Sequence, residues 1–378
     1  MKQELSSLEL QCLVKEFQIL VGGKIDKIYQ PEKEELLLQI YQQGAGKHLL
    51  RILSGKFIYL AKTKTESPQK PFGYCIFLRK HLNGAAILSI SQVASERIIK
   101  IIFETKREGK LKKFNFYAEL FGKGNLILCD EHDMILSPLE TQMWKDRIVR
   151  AKQQYIFPKQ AHDFRTITKE EFHAMLQGSS SPNVVRSLAL DLGLGGVYAE
   201  ELCLRAKVDK ETKPALPSLK EAALFQALAA LCQEKIIPCM VMEGKNVFDI
   251  VPFSLHRYAG KETKLFQTFS EALDAVLSEQ DKEIKAVSKQ KTASKVGDKL
   301  QVILDAQTKQ VERMRKEADE CQRSGEIIYE QYHLVDQILK EINTIRQKHS
   351  WKAIKEKLKG HKLIKDVDEK TGKITVEL

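Results

Sequence analysis

Between residues 300 and 346, apolar side chains recur on two interleaved seven-residue series, and few structures other than a long helix with a buried seam satisfy such a repeat. Leu300, Met314, Cys321, Ile328, Val335 and Ile342 occupy one series. Leu304, Val311, Ala318, Tyr332 and Leu339 occupy the series four residues on, and Gln307, Gly325 and Arg346 interrupt the pattern. At 1.5 Å per residue, roughly 50 helical residues reach about 75 Å. A helical seam does not stand alone in water, so the pattern predicts a coiled-coil arm with a partner. That partner is either a second copy of the chain or a returning arm. We expect the returning arm, which makes this chain the front part of a longer protein. Trp351 to Leu358 and Gly360 then lead into strand-like sequence from Leu363 onward.

The sequence before the arm has a different rhythm. Residues 6–20 place Leu10, Leu13, Val14, Phe17 and Leu20 at helical spacing, and Gly22 and Gly23 stop them. Short β-type runs follow at 24–29, 35–41, 48–53 and 57–61, punctuated by Pro31, Gly44, Gly46 and Gly55. A helix over 71–82 separates them from further strands at 86–93, 97–106, 111–120, 125–129 and 134–137. This predicts an α+β domain over 1–165. Thr168 and Glu171 form a capping box that opens an all-helical stretch over 166–232. Ser181-Pro182 reads as the start of its second helix, and Gly193-Leu194-Gly195-Gly196 as a tight turn between helices 183–192 and 197–206. Residues 233–280 supply a hairpin that rejoins a sheet and a short helix at 269–279. A basic bridge at 281–299 joins the arm within 281–350, and 351–378 begins a further region.

Composition narrows the function. The chain has 378 residues, 43% of them hydrophobic, enough for more than one core. No run approaches the roughly 20 apolar residues of a membrane span, and the first residues lack a secretory-signal layout, so we expect a cytoplasmic protein with no membrane partner. The seven cysteines are scattered without metal spacing, which predicts reduced, buried thiols and neither disulfides nor zinc. The formal net charge of +11 favours a polyanionic partner.

No phosphate loop, dinucleotide fingerprint, zinc-protease or serine-hydrolase motif occurs, so no catalytic group and no cofactor is expected. The better signals are for RNA. Arg97, Lys100, Lys106, Arg107, Lys110, Lys112 and Lys113 crowd one predicted hairpin, suited to phosphate contacts. Arg79 and Lys80 end the helix before it, and Lys145, Arg147, Arg150 and Lys152 make a further basic stretch. The turn at Gly193, Gly195 and Gly196 offers backbone amides at a helix N-terminus. The bland readings are lysine-guarded strand edges and an ordinary packing turn.

Together these segments resemble the NFACT family of ribosome quality-control factors. PFGYCIFLRKHLNGAAI (71–87), ERIIKI (96–101), ELFGKGNLILCD (119–130) and FSEALDAVL (269–277) carry the resemblance, in the family's order. It implies an N-terminal domain similar to that of formamidopyrimidine-DNA glycosylases, a helix-hairpin-helix insert and a coiled coil. It further implies binding to large ribosomal subunits that hold a stalled peptidyl-tRNA. The factor there recruits aminoacyl-tRNA, typically alanyl-tRNA, for untemplated extension of the nascent chain. The ribosome makes the bond, and the factor supplies positioning. The family's tRNA-contacting Asp-Arg pair falls on Glu96 and Arg97, with Glu in place of Asp. Two other classes compete, a DNA glycosylase and a fibronectin-binding adhesin. The first lacks its N-terminal Pro-Glu and its zinc cysteines, and the second lacks a secretion signal or anchor.

Overall fold

A computed structural model describes residues 2–107, 109–144, 147–158 and 162–377. They form two compact units, Met1–Lys282 and Glu283–Leu378.

Helix α1 (Ser7–Phe17) starts at the capping box of Ser6 and Glu9, in which each side chain accepts from the other's backbone N–H. Its two faces serve different cores. Leu10, Leu13 and Phe17 are buried against the main sheet, whereas Leu8 and Cys12 face the helical part of the unit. Full burial of side chains this size contributes roughly 1.5–3 kcal/mol each.

The sheet contains β1 (Lys24–Tyr29), β2 (Glu35–Gln42), β3 (Gly46–Leu53) and β4 (Phe57–Ala61), then, after α2 (Gly73–Leu82), β5 (Ala86–Gln92), β6 (Ile98–Arg107), β7 (Lys110–Glu119), β8 (Asn125–Asp130) and β9 (Ile135–Pro138). Its nine strands run in the order β4-β3-β2-β1-β5-β6-β7-β8-β9, every neighbour antiparallel. The two predicted groups of strands thus fuse into one sheet, joined where Gly22 N–H donates to Ile87 O (2.8 Å) and Ile25 N–H to Ala85 O (2.9 Å). α1, α2 and one sheet face enclose the main core. A smaller cluster around Ile98, Tyr117, Ile127 and Tyr155 covers part of the other face. The short hairpin β10 (Gln142–Met143) and β11 (Ile148–Val149) follows.

Four helices pack into a second core: α3 (Lys169–Gly178), α4 (Val184–Leu190), α5 (Gly196–Arg205) and α6 (Ser218–Cys232). The cap of α4 is Asn183, which accepts from Arg186 N–H, and not the predicted Ser181-Pro182 pair. The predicted hairpin is β12 (Cys239–Glu243) and β13 (Asn246–Val251). It does not rejoin the main sheet but pairs with β14 (Glu262–Leu265) in a separate three-stranded sheet.

Helix α7 (Phe269–Glu330) begins where Glu16 of α1 accepts from Phe269 N–H (2.5 Å) and Ser270 N–H (3.0 Å). It replaces both the short helix at 269–279 and the bridge at 281–299. That bridge contains no proline, and Gly297 alone is a weak helix breaker. In the second unit the expected arm is interrupted at Gln331 (φ −104°, ψ 27°), where α8 (Tyr332–Arg346) takes over, followed by α9 (Trp351–Lys357). β15 (Ile364–Val367) and β16 (Ile374–Val376) form a hairpin. The seam residue Ile342, with Ile338, is buried against Ile364 and Val367 of that hairpin, so a local contact takes the place of a partner helix there. Leu304, Val311 and Met314 are half exposed or more.

Candidate nucleic-acid interface

The segment before α1, the loop between β5 and β6, and the start of α5 meet around a cleft of about 540 Å³. Lys2, Glu4, Glu96, Arg97, Gly195 and Gly196 are among its lining residues. Two features that the sequence offers separately, the Glu96–Arg97 pair and the glycine turn, therefore share one site.

The β5–β6 loop is pinned from several sides. Glu96 N–H donates to Val93 O and Val93 N–H to Ile98 O, each at 3.0 Å, with Ala94 in the left-handed region at φ 44°. Buried Gln92 donates to Ser7 O and Ser7 Oγ (both 2.9 Å) and to Glu96 O (3.0 Å). The Ser7 hydroxyl donates to Ser95 O. Ser95 Oγ donates in turn to Asp163 Oδ1 (2.8 Å), whose carboxylate also accepts from Arg165 Nε (2.8 Å) and Nη2 (2.6 Å). Burial pushes the Asp163 carboxyl up, but these hydrogen bonds more than offset it and hold it below the usual carboxylate range. Arg97 stands just before β6, half-buried, with Nη1 2.7 Å from Glu4 Oε1 and 3.4 Å from Leu5 O.

The opposite wall is the α4–α5 turn. Gly193 (φ 76°) and Gly195 (φ 78°) take conformations that side chains disfavour, and a Cβ on Gly195 would lie 3.9 Å from Ser6 Cβ. The turn uses some of its own amides, since Leu194 N–H donates to Leu188 O (3.3 Å) and Gly195 N–H to Ala189 O (3.1 Å). Gly195 therefore does not offer the amide expected of it. The open donors belong to the first turn of α5, whose N-cap Gly195 has no side chain to cap them. The N-termini of α1 and α5 both line the cleft and favour negative charge.

The floor is charged but internally compensated. Lys2 Nζ lies 2.6 Å from Glu9 Oε1 and 3.3 Å from Asp249 Oδ1, with Lys2 and Glu9 nearly fully buried. Tyr198 OH donates to Glu9 (2.8 Å) and Tyr258 OH to Asp249 (2.6 Å). Burial alone lowers the Lys2 ammonium, and the two carboxylates reverse that and raise it above its ordinary value. Sequence reasoning missed this group because its members are up to 247 positions apart. Arg97, paired with Glu4, and the neighbouring Glu96 stand at the mouth, a set that combines a guanidinium donor with carboxylate acceptors.

The predicted basic hairpin is real but splits between two sheet faces. Residues paired across antiparallel strands share a face, and the face alternates. Thr105↔Lys112, and Lys110 two residues before Lys112, continue the core face of Phe103↔Phe114, and Glu104↔Lys113 and Lys106↔Leu111 continue the other. Helix α2 lies on the core face, its His81 ring 5.7 Å from Phe114. Exposed Lys80, Lys110 and Lys112 consequently share one side. Arg79 is tied down, with Nε donating to Ile28 O (2.8 Å). The Arg107 side chain and Lys145 lie outside the described residues. Arg147 is not a surface cation. It is buried, with Nη2 2.6 and 2.8 Å from the two oxygens of Glu119. The 10 residues of β6 separate the hairpin tip from the cleft by about 30 Å at about 3.3 Å per residue.

Five of the cysteines are buried as expected, whereas Cys232 is partly buried and Cys321 exposed, and burial pushes the Cys12 and Cys129 thiols up to about 12. Among the described residues no helix is long and apolar enough to cross a membrane, and no group of His, Cys, Asp and Glu is placed to hold a metal ion.

A family model described as the NFACT N-terminal and middle domains matches residues 6–376. A Methanocaldococcus jannaschii protein named archaeal Rqc2 homolog aRqcH is 31% identical over all of this chain and 58% of its own length. The Rqc2 homolog RqcH of Bacillus subtilis is 26% identical over 68% of this chain and 45% of its own length. The chain thus spans about half the length of the curated relatives it matches. Among solved structures, the N-terminal part of the fibronectin/fibrinogen-binding protein of Streptococcus suis superposes with a TM-score of 0.61 at 22% identity, over 73% of this chain and 100% of that one. That likeness concerns the fold alone.

Proposed function

The chain belongs to the NFACT family, and on that premise we propose that it is a ribosome-associated quality-control factor that holds tRNA in the cleft around Arg97. In this reading it binds large ribosomal subunits carrying a stalled peptidyl-tRNA, in the cytoplasm. It recruits aminoacyl-tRNA, alanyl-tRNA first, for untemplated tailing of the nascent chain. The chain is not itself the catalyst, and the peptide bond is made by the ribosome. Its contribution is to position the substrate.

One observation carries the proposal: Arg97 and the uncapped N-terminus of α5 converge on a single cleft. Helix amides and a guanidinium both suit a phosphate, and the α4–turn–α5 pair resembles a helix-hairpin-helix used in that way. The Glu96 carboxylate beside Arg97 adds an acceptor suited to a ribose hydroxyl or an exocyclic amine, which a plain anion site would not need. Lys110 and Lys112, about 30 Å away along β6, suit a ligand the size of a folded RNA better than a small molecule. The names of the relatives point the same way.

Sequencing the RNA that co-purifies with the chain tests the proposal. Enrichment of tRNA together with large-subunit rRNA is expected. A preparation free of both, from cells with active translation, contradicts it.

A further inference from the structure

Trp144 is an exposed aromatic on a rigid mount that the cleft does not use. It is 47% exposed, and its N–H donates to Arg147 O (2.9 Å) across the β10–β11 hairpin. The Arg147 guanidinium carbon lies 4.9 Å from the indole centroid and 5.7 Å from the Tyr155 ring. Glu119 clamps the guanidinium from the side and accepts from Tyr155 OH (2.8 Å). Tyr155 stacks on Tyr117 with centroids 4.2 Å apart and an interplanar angle of 14°. Trp144 is therefore the outermost layer of a fixed pile of flat groups.

The indole borders a cavity of about 490 Å³, lined also by Gly122, Lys123, Gly124, Thr141 and Gln142. That wall is stiff as well. A Cβ on Gly124 would lie 2.0 Å from Gly55 N, so the turn accepts no side chain there. Gln142 donates to Gly124 O (2.9 Å), and Asn125 donates to Gln142 Oε1 (2.9 Å) and Glu140 O (2.8 Å). Lys123 and Thr141 are exposed at the rim.

We propose that this slot takes one unpaired nucleobase of a bound RNA, stacked on Trp144, with the adjoining phosphate against Lys123. The inference rests on the RNA-binding reading above. A planar occupant suits an indole backed by a cation, and polar walls with a lysine rim suit a nucleotide better than an apolar peptide. Stacking needs only a π face, so the slot is tolerant of base identity.

The chain has two tryptophans, so Trp351→Phe leaves Trp144 as the sole indole reporter. Its emission is titrated with unfractionated tRNA, with a short single-stranded oligoribonucleotide and with a free nucleoside monophosphate. Quenching that saturates with tRNA and oligoribonucleotide binding is expected. Trp144→Ala should weaken tRNA binding about 5- to 150-fold, the range of one base–aromatic stack at tenfold per 1.4 kcal/mol, and Trp144→Phe should restore part of it. The dependence on salt should stay unchanged, because no phosphate contact is removed. Intact tRNA binding with unaltered emission and no effect of Trp144→Ala overturns the stacking and leaves the RNA reading standing. Absence of any RNA binding overturns both. Quenching by the monophosphate alone assigns the slot to a free nucleotide, and loss of self-association in Trp144→Ala without an RNA effect assigns it to a protein contact. Either result overturns the proposal.

Discussion

Arg97 Nη1 and Glu4 Oε1 lie 2.7 Å apart, so the residue best placed to hold a phosphate is occupied by a carboxylate from the chain's own N-terminal segment. Glu4 is 52% exposed, and a pair of this kind contributes only about 0.2–1 kcal/mol. A charged hydrogen bond to phosphate is worth about 1.5–3 kcal/mol, enough to displace it. Glu4→Gln should therefore tighten tRNA binding by up to about fivefold, with the melting temperature unchanged. Weaker binding in this variant, measured by equilibrium titration, would place Glu4 among the RNA contacts.

The split hairpin makes a directional prediction. Neutralising Lys80, Lys110 and Lys112 together should lower the slope of log affinity against log salt by about two units, at roughly 0.7–0.9 per phosphate contact. Neutralising Lys106 and Lys113, on the opposite face, should change it less. Equal effects from the two sets would mean that the RNA wraps the tip and does not lie on one side.

Asp163 ties the Ser95 end of the cleft loop to Arg165, and its carboxyl is held below the usual carboxylate range. A depressed acid contributes stability that is complete above its unfolded value, about pH 4, and is lost as pH falls through the folded value. Asp163→Asn should thus be less stable than the native chain at neutral pH, and the gap should narrow as pH is lowered from about 4. A gap that persists unchanged to pH 2, in melts across that range, contradicts the assignment.

In the second unit Leu304, Val311 and Met314 present an apolar face that no described residue covers. If that face pairs with the same helix of a second copy, Leu304→Asp with Val311→Asp should convert a dimer to a monomer in sedimentation equilibrium. A native chain that is monomeric at tens of micromolar, with this helix protected from hydrogen exchange, excludes such pairing.

How far the sequence spoke depended on the range of the interaction. β1 and β4 lie where alternation and the glycine and proline breaks put them, because a hairpin is a local decision. The capping boxes at Ser6 and Thr168 are local too, though only the second was read from sequence. The start of α4 was misplaced because Asn183 caps it better than Ser181 does. The polarity of residues 281–299 suggests a bridge, whereas helix formation there meets no proline. Arg97 and the glycine turn each stand out in the sequence, but nothing in it says that they face each other. That depends on Ser6 and Gly195 meeting, and on the Lys2–Glu9–Asp249 floor beneath them. Arg147 looked like one more surface cation because its partner, Glu119, is 28 residues away.

The affinity of Arg97→Ala for tRNA, measured together with its melting temperature, decides whether Arg97 holds the RNA. Loss of about 1.5–3 kcal/mol of binding is expected, roughly a 10- to 150-fold rise in Kd, with little change in melting temperature. Glu96→Asp, which restores the acid found in the family, should keep or improve binding. A variant that melts lower yet binds tRNA as the native chain does would reduce Arg97 to a structural partner of Glu4 and contradict the account.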